Sequence, residues 1–587
     1  MTAQRNVLFS VAFSCRPDAT MAKLSDLPSE LLEQVLLYLP QSAYCSLSRV
    51  NKALYGITTS YLYRDITLLA RSRDHTPRVD RLFFNILDNP KLGKHVRSLT
   101  AGVCTQEPCR EVRLCMPIDN KAEHRLSVEK AMRFIDKWQP VVQAEDFLDG
   151  LDANDYGVYF ALLYLLVLPT LQCINISEIG DETLRPLKYT LDNIRTEEAT
   201  GNTQLLGRLG SVKEVTYNFQ HDMTSPFPRS GTNDLWSSLI IHSIESLELS
   251  ACREWSSFSR PGAPVPRFAR FRNFQPASTL MFLTTFVMRC TVNVAETLHG
   301  ILPQTPQLRS LTCEAFCDTS RNPLNADTAG ATPPWILLEQ WNAELNTVKN
   351  TLETLVLSVE LSNGDCTFFR QPDLKPHVSG RLNLSRFDRL HTLEVPVPFL
   401  TDDAFLWIGS DTNFSPYAPP NLRHLTLRTD MTEAQWVYPW DTSIREKGPT
   451  FQESKEEAWV KDQARMDLTC VFQIALALID QLPDLQSFSV WQPPDPSLDM
   501  FGYQLEDLRT SCKNKSITAR VVYPMLLRRK STVHWDLARE VTLFDSQFPD
   551  SGSVARMFRG ERRGIPLGLA SQYHLGEFRK NHVRRHR

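Results

Sequence analysis

Thirteen cysteines have the widest chemical reach in this 587-residue chain, and two groups of them lie close together. Cys104, Cys109 and Cys115 share one stretch, and Cys317 comes four residues after Cys313. A tetrahedral zinc site needs CxxC spacing completed by a second such pair or by two histidines. Neither group offers that, so both read as loop or core thiols and no metal is expected. Cys45, Cys173, Cys290 and Cys470 stand singly among apolar neighbours, the pattern of reduced core cysteines. The sequence has no Walker loop, no GxGxxG turn after a strand, no GxSxG elbow and no HExxH helix, and its 23 glycines are few for a fold built around glycine-rich phosphate cradles. Separated Asp, His and Cys residues do not define a triad. The expectation is a non-enzyme with no catalytic residue and no cofactor.

Binding chemistry is better represented. Trp255, Phe258, Arg267, Phe268, Arg270, Phe271 and Arg272 interleave aromatic and basic groups, and Trp436, Tyr438 and Trp440 cluster in a second segment. Such groups can hold an acidic partner or stack on bases, although loop aromatics more often pack back onto their own scaffold. Arg579, Lys580, Arg584, Arg585 and Arg587 follow Glu577 with no acid among them, which suits a nuclear import signal, contact with RNA or an acidic protein, or a solvated end. The formal charge of -3 provides no general attraction to nucleic acid or membrane, so neither is expected as a partner. The longest apolar run, Val158 to Leu168, is shorter than the roughly 18 residues a bilayer requires and reads as a buried helix. The segment from Arg5 through Val7 to Ala12 lacks a convincing signal-peptide cleavage site, and the sequon Asn175-Ile176-Ser177 falls in an expected strand. A cytoplasmic and/or nuclear location follows as an expectation.

Two kinds of element must carry these groups, because a chain of this length exceeds one ordinary core and has to be several domains or an elongated array. From Leu24 the sequence reads LSDLPSELLEQVLLYLPQ. Pro28 suits the first turn of a helix, and Glu30 and Glu33 complement its positive end. Leu31, Leu32, Val35, Leu36 and Leu39 fall within an arc of about 140 degrees while Glu33 and Gln34 point away. Pro40 ends the helix. The spacing of Ala43, Leu47, Val50 and Leu54 predicts a second helix over about 42–55, and the aromatics Tyr55, Tyr61 and Tyr63 follow. A unit of three short helices makes a poor core, so its remaining apolar surface should meet a partner or the next domain.

Leu27-Pro28, Glu30, Leu31-Leu32, Val35-Leu36, Leu39-Pro40, Leu47, Val50 and Asn51-Lys52 together resemble an F-box, over about residues 24–65. Many F-boxes carry a Trp shortly after the equivalent of Asn51-Lys52, where this chain has Leu54 and Tyr55. The resemblance implies docking to a Skp-type linker protein and, through it, to a cullin. Leu27, Pro28, Leu31, Leu32, Val35, Leu36, Leu39, Leu47 and Val50 would then be shared between internal packing and the linker interface, in a proportion the sequence does not reveal.

Beyond residue 90 a triplet recurs, with apolar residues at the first, fourth and sixth positions. It appears as Leu171/Ile174/Ile176, Val212/Val215/Tyr217, Ile244/Leu247/Leu249, Leu352/Leu355/Leu357, Leu390/Leu393/Val395, Leu422/Leu425/Leu427 and Leu485/Phe488/Val490. Weaker copies start at Leu283 and Leu308, and one sits near His95 to Leu99. Each copy reads as a short strand with one buried face. Helical segments over 161–168, 294–302, 337–348 and 468–481 lie between copies, often ended by Leu-Pro. Stacked neighbours could bury what one strand and helix cannot, so the pattern resembles divergent leucine-rich repeats, although the spacing is irregular and the Asn or Cys ladder is mostly missing. A parallel α/β barrel is the competing arrangement. Long polar insertions at about 256–278, 317–334, 362–380, 402–420 and 428–460 would lie on the rims, where recognition usually sits.

The expected organisation is α/β. It comprises a flexible N-terminus (1–22), a three-helix F-box-like module (23–66), a curved leucine-rich-repeat-like solenoid (90–525) and an irregular basic C-terminal region (526–587). The implied role is that of a substrate-recognition adaptor of a Skp-cullin-F-box ubiquitin ligase with an unidentified protein target. An F-box scaffold acting outside ubiquitylation and an α/β enzyme are the alternatives.

Overall fold

The structure is a computed structural model that describes residues 28–37, 39, 41–70, 75–103, 114–138, 142, 144–177, 181–199, 211–218, 243–250, 280–291, 294–318, 336–362, 378–401, 413–432, 455–492, 500–529, 532–550 and 554–557. Leu27, Cys104, Cys109, the two aromatic segments (255–272 and 436–440) and the arginines of 579–587 lie outside the described residues.

Three helices come first: α1 (Ser29–Leu37), α2 (Gln41–Leu47) and α3 (Lys52–Arg64). The last runs without a linker into β1 (Asp65–Ala70), so the sheet starts directly after the helical module. The strands β2 (Ser98–Val103), β3 (Cys173–Ser177), β4 (Glu214–Asn218), β5 (Ser246–Ser250), β6 (Thr285–Thr291) and β7 (Ser310–Asp318) follow. Then come β8 (Ile336–Leu337), β9 (Thr354–Ser362), β10 (Val378–Ser379), β11 (Thr392–Pro396), β12 (His424–Arg428) and β13 (Ser487–Trp491). The chain continues through β14 (Thr518–Arg529), β15 (Thr532–Phe544) and β16 (Val554–Met557). Among the described residues, fourteen strands form one sheet in which neighbours succeed one another in chain order, while β8 and β10 make a separate parallel pair. Pairing is parallel from β1 through β14. The sheet stays open, since β1 pairs with β2 alone among the described strands, and the barrel arrangement does not form.

The recurring triplets explain the register. Ile66, Leu99, Ile174, Val215, Leu247, Phe286, Leu311, Leu355, Leu393, Leu425, Phe488 and Ala519 lie side by side in one cross-strand row. A second apolar row lies two residues further along each strand, from Leu68 to Val521, and both rows are buried. Successive strand residues point to opposite faces, so a one-residue slip would move the whole apolar set to the other side. The first residue of each triplet, such as Leu171, Val212, Leu352, Leu390 and Leu422, is also buried, in the turn before its strand.

Helices cover that apolar face: α4 (Val79–Asp88), α5 (Pro90–Gly93), α6 (Lys121–Ile135), α7 (Ala144–Asp152), α8 (Tyr156–Val167) and α9 (Asp181–Ala199) near the start. Further along are α10 (Val294–Ile301), α11 (Leu338–Leu345), α12 (Lys455–Gln481) and α13 (Gly502–Asn514). Rows and helices share one continuous core. The long apolar run is α8, buried at every position except the half-buried Leu166 because it packs between α4, α7 and α9. Asp155 caps it, accepting from Gly157 N at 2.6 Å and Val158 N at 3.1 Å. Among the described residues, no helix is long and apolar enough to cross a membrane.

One expectation changes here. The stretch from 526 was expected to be irregular, but β14 and β15 pair antiparallel through Arg529↔Thr532, and β16 pairs antiparallel with β15. The triplet disappears because a hairpin needs no covering helix, and alternating β-formers suffice. The register shifts between Tyr523 and Pro524, where proline has no N–H to donate.

Candidate functional site

The N-terminal module divides its apolar side chains into two sets. Leu32 and Leu36, one turn apart on α1, bury against Leu54 of α3, and Leu39, Tyr44, Leu47, Ile57 and Tyr61 pack around them. This small cluster is separate from the main core. Tyr44 donates its hydroxyl to Leu36 O at 2.6 Å, tying α2 to the end of α1, and its ring lies 5.9 Å from that of Tyr61. Burial raises the pKa of the Tyr61 hydroxyl, and the Glu33 carboxylate and Tyr44 raise it further against an opposing effect of Arg64.

The helix expected over 42–55 is two helices. The chain turns at 48–50, and Asn51 starts α3 afresh, its side-chain oxygen accepting from Leu54 N at 2.8 Å. A local hydrogen bond from Asn competes well with helix continuation, which is why the apolar stripe does not run straight through. The break places Val50 outside while Leu54 stays inside.

The second set faces solvent. Leu31 is 49% exposed, Val35 39%, Val50 65% and Tyr55 50%. Leu31 and Val35 are separated by one helical turn and therefore share a face of α1 beside the buried Leu32/Leu36 pair. Pro28 is exposed at the start of the helix. At the position where many F-boxes have Trp, Leu54 fills the core and Tyr55 projects outward. Four large apolar side chains exposed on so small a unit are a surface suited to burial by a partner, at about 25 cal/mol per Å² removed from water. Of the nine residues singled out in the sequence, Leu32, Leu36, Leu39 and Leu47 pack internally, Pro28, Leu31, Val35 and Val50 are presented outward, and Leu27 is outside the described residues. Tyr44, which locks α2 in place, carries no signal in the apolar periodicity and was missed.

The module is joined to the sheet through α3. Tyr63 packs on the main core, Asn85 Nδ2 donates to its hydroxyl at 2.7 Å, and Arg97 N donates to Arg64 O at 2.8 Å. The presented face is therefore held at one end of the sheet.

The sheet face away from the helices is polar and partly exposed. At the far ends of β11 and β12 it carries a buried ionic group, with Arg428 donating to Glu394 Oε1 and to Asp430 Oδ2, each at 2.7 Å, and stacking over Trp491 at 3.9 Å. Asp430 also accepts from Val359 N at 3.0 Å. Burial raises the Asp430 carboxyl pKa against the lowering effect of Arg428. On the same face, Glu248 and Glu314 flank Arg289 at 2.7 and 3.6 Å. Among the described residues no group of three or more His, Cys, Asp or Glu could hold a metal ion. Cys313 lies in the second apolar row, where burial raises its thiol pKa, and burial pushes the Cys173 thiol up to about 11, so neither is a ready nucleophile.

Residues 24–69 match the F-box-like domain family, a span that runs from before α1 into β1. No curated protein matches the chain. The chain therefore carries an F-box-like domain at the start of a large, mainly parallel α/β sheet.

Proposed function

We propose that this chain is a non-catalytic substrate-recognition adaptor of a Skp-cullin-F-box ubiquitin ligase. The observation that carries this reading is the outward presentation of Leu31, Val35, Val50 and Tyr55 over a closed Leu32/Leu36/Leu54 core, within a stretch that matches the F-box-like family. F-box-like domains commonly bind Skp-type linkers. In this reading the linker covers the exposed set, a cullin is recruited through it, and the enzyme that transfers ubiquitin comes with the cullin. The chain contributes proximity. The sheet acts as a leucine-rich-repeat-like solenoid that holds a protein target, a role supported by the strict chain-order succession of parallel strands and by the shared triplet. Its working location is cytoplasmic and/or nuclear. A scaffold that uses the same linker contact without target turnover has the same surface.

The test is a pull-down of linker and cullin with the full chain and with a Leu31→Glu/Val35→Glu double variant. Both side chains are exposed, so the variant should keep its circular dichroism spectrum and melting temperature while linker capture falls at least tenfold, taking cullin capture with it. Equal capture by the two chains would remove the docking reading. Linker capture without cullin, where a control F-box protein brings down both, would favour the scaffold.

A further inference from the structure

At the near ends of β11–β14, basic and hydroxyl groups gather from segments far apart in sequence. His391 immediately precedes β11, Arg423 precedes β12, His424 opens β12, and Arg520 lies on β14. The register sets His424 opposite both Thr392 and Ser487, Ser487 opposite Thr518, and Ser489 opposite Arg520. The His391 and His424 rings stand edge to face with centroids 6.5 Å apart. Each uses its Nδ1 locally, His391 with Thr392 Oγ1 at 3.0 Å and His424 with Ser487 Oγ at 2.8 Å. Among the described residues, Nε2 of both rings has no partner.

The acids around this corner each have a partner other than Arg423 or the two histidines. Glu353, whose backbone carbonyl accepts from His391 N, approaches Arg309 at 3.9 Å. Glu394 on β11 holds Arg428 at 2.7 Å, and Glu540 on β15 approaches Arg520 at 3.6 Å. Asp545, beside the Ser546 that bonds Thr518, accepts from Gln547 N at 2.9 Å. Arg423 is exposed, and neither it nor either histidine has a carboxylate partner among the described residues.

We propose that this corner is a binding site for a phosphate-type dianion, with Arg423 and the two imidazole Nε2 atoms facing the oxyanion and Ser487 and Thr392 fixing the rings. A dianion matches one permanent cation plus one protonated imidazole, a charge balance the chain does not provide for itself here. Electrostatics agree with this. Burial, His391, Arg520 and Arg423 all hold the His424 pKa below its usual value, so its cation lacks a counter-charge, and a bound dianion would reverse the bias. The site does not depend on the docking reading, because it is tested on the chain alone.

The experiment is a histidine-labelled NMR titration of the full chain, with His424→Gln used to identify the resonance. Sulfate is the first probe because it stays dianionic across the histidine range, and chloride at equal ionic strength is the control. Sulfate should raise the apparent pKa of His424 by about one unit, and affinity should therefore rise about tenfold as pH falls through that range. Arg423→Gln, an exposed change that leaves the fold intact, should remove most of the shift. A His424 pKa that moves no more with sulfate than with chloride overturns the site, as does an undiminished shift in the Arg423 variant. Two further arms identify the source of the oxyanion. Binding of a Gly-Gly-phosphoserine-Gly-Gly peptide at least tenfold tighter than inorganic phosphate assigns the site to a phosphorylated chain, and equal affinities assign it to the free ion.

Discussion

Leu31 and Leu32 are adjacent and chemically identical, yet one is half exposed and the other buried. Their difference is one step of 100 degrees around a helix, with a partner, Leu54, on one side only. Leu36→Ala, at the centre of the small cluster, should destabilise the module by about 2–5 kcal/mol, because it removes buried methyl groups and leaves a cavity. Leu31→Ala should stay within about 0.5 kcal/mol of the parent. Denaturant melts followed by fluorescence of a probe placed on α2 distinguish the two, and similar losses for both would mean that the division between inner and outer leucines is wrong. His424 makes a second prediction at this scale. Its folded pKa lies below the unfolded value, so the unfolded chain binds more protons there, and its contribution to stability is complete above about pH 6.5 and is lost as pH falls from there through the lower folded pKa. His424→Gln should flatten the fall in melting temperature between pH 7.5 and 5.5 relative to the parent. An unchanged slope would show that the imidazole titrates as freely in the folded chain as in the unfolded one.

At the scale of elements, the joints differ from the periodicity more than the elements do. Asn51 cuts one expected helix into α2 and α3, and Pro524 disturbs the hairpin register. The α8–α9 contact is another joint set by a single residue. A Cβ built on Gly157 would lie 1.5 Å from Thr183 O, so no side chain fits there. Gly157→Ala must push α9 away or unwind the first turn of α8, at a cost of about 1–3 kcal/mol or more. Gly56, inside α3, has nothing within 4 Å of such a Cβ, and Gly56→Ala should instead stabilise by roughly 0.5–1 kcal/mol. Melting temperatures of the two variants should move in opposite directions, and a harmless Gly157→Ala would show that the two helices pack more loosely than described.

At the scale of the whole molecule, the two apolar clusters differ greatly in size, and α3 is the element that spans the boundary between them. Local opening depends on how much buried apolar contact must be broken, so the module with three buried leucines should open at lower free energy than the sheet. Hydrogen exchange followed by mass spectrometry should show amides of α1 and α2 exchanging well before those of β9–β13. Protection of α1 and α2 equal to that of the sheet would instead describe one cooperative unit. α3 runs directly into β1, the strand at the open end of the sheet.

The strand triplets and the amphipathic first helix were legible in the sequence because both are periodic patterns of apolar residues within a few positions of one another. The F-box resemblance rested on the same short-range order, and so did the prediction that Val158 to Leu168 is buried. Which leucines of α1 face outward was not legible, because that depends on where Leu54 and Tyr44 come to lie after a turn at Asn51. Nor was the openness of the sheet, since triplets of this kind also suit a closed barrel and only the pairing of each strand with its neighbours decides between them. The gathering of His391, Arg423, His424 and Arg520 belongs wholly to the tertiary structure. Four strands, β11 to β14, must first stack in register, and only then do their charges meet.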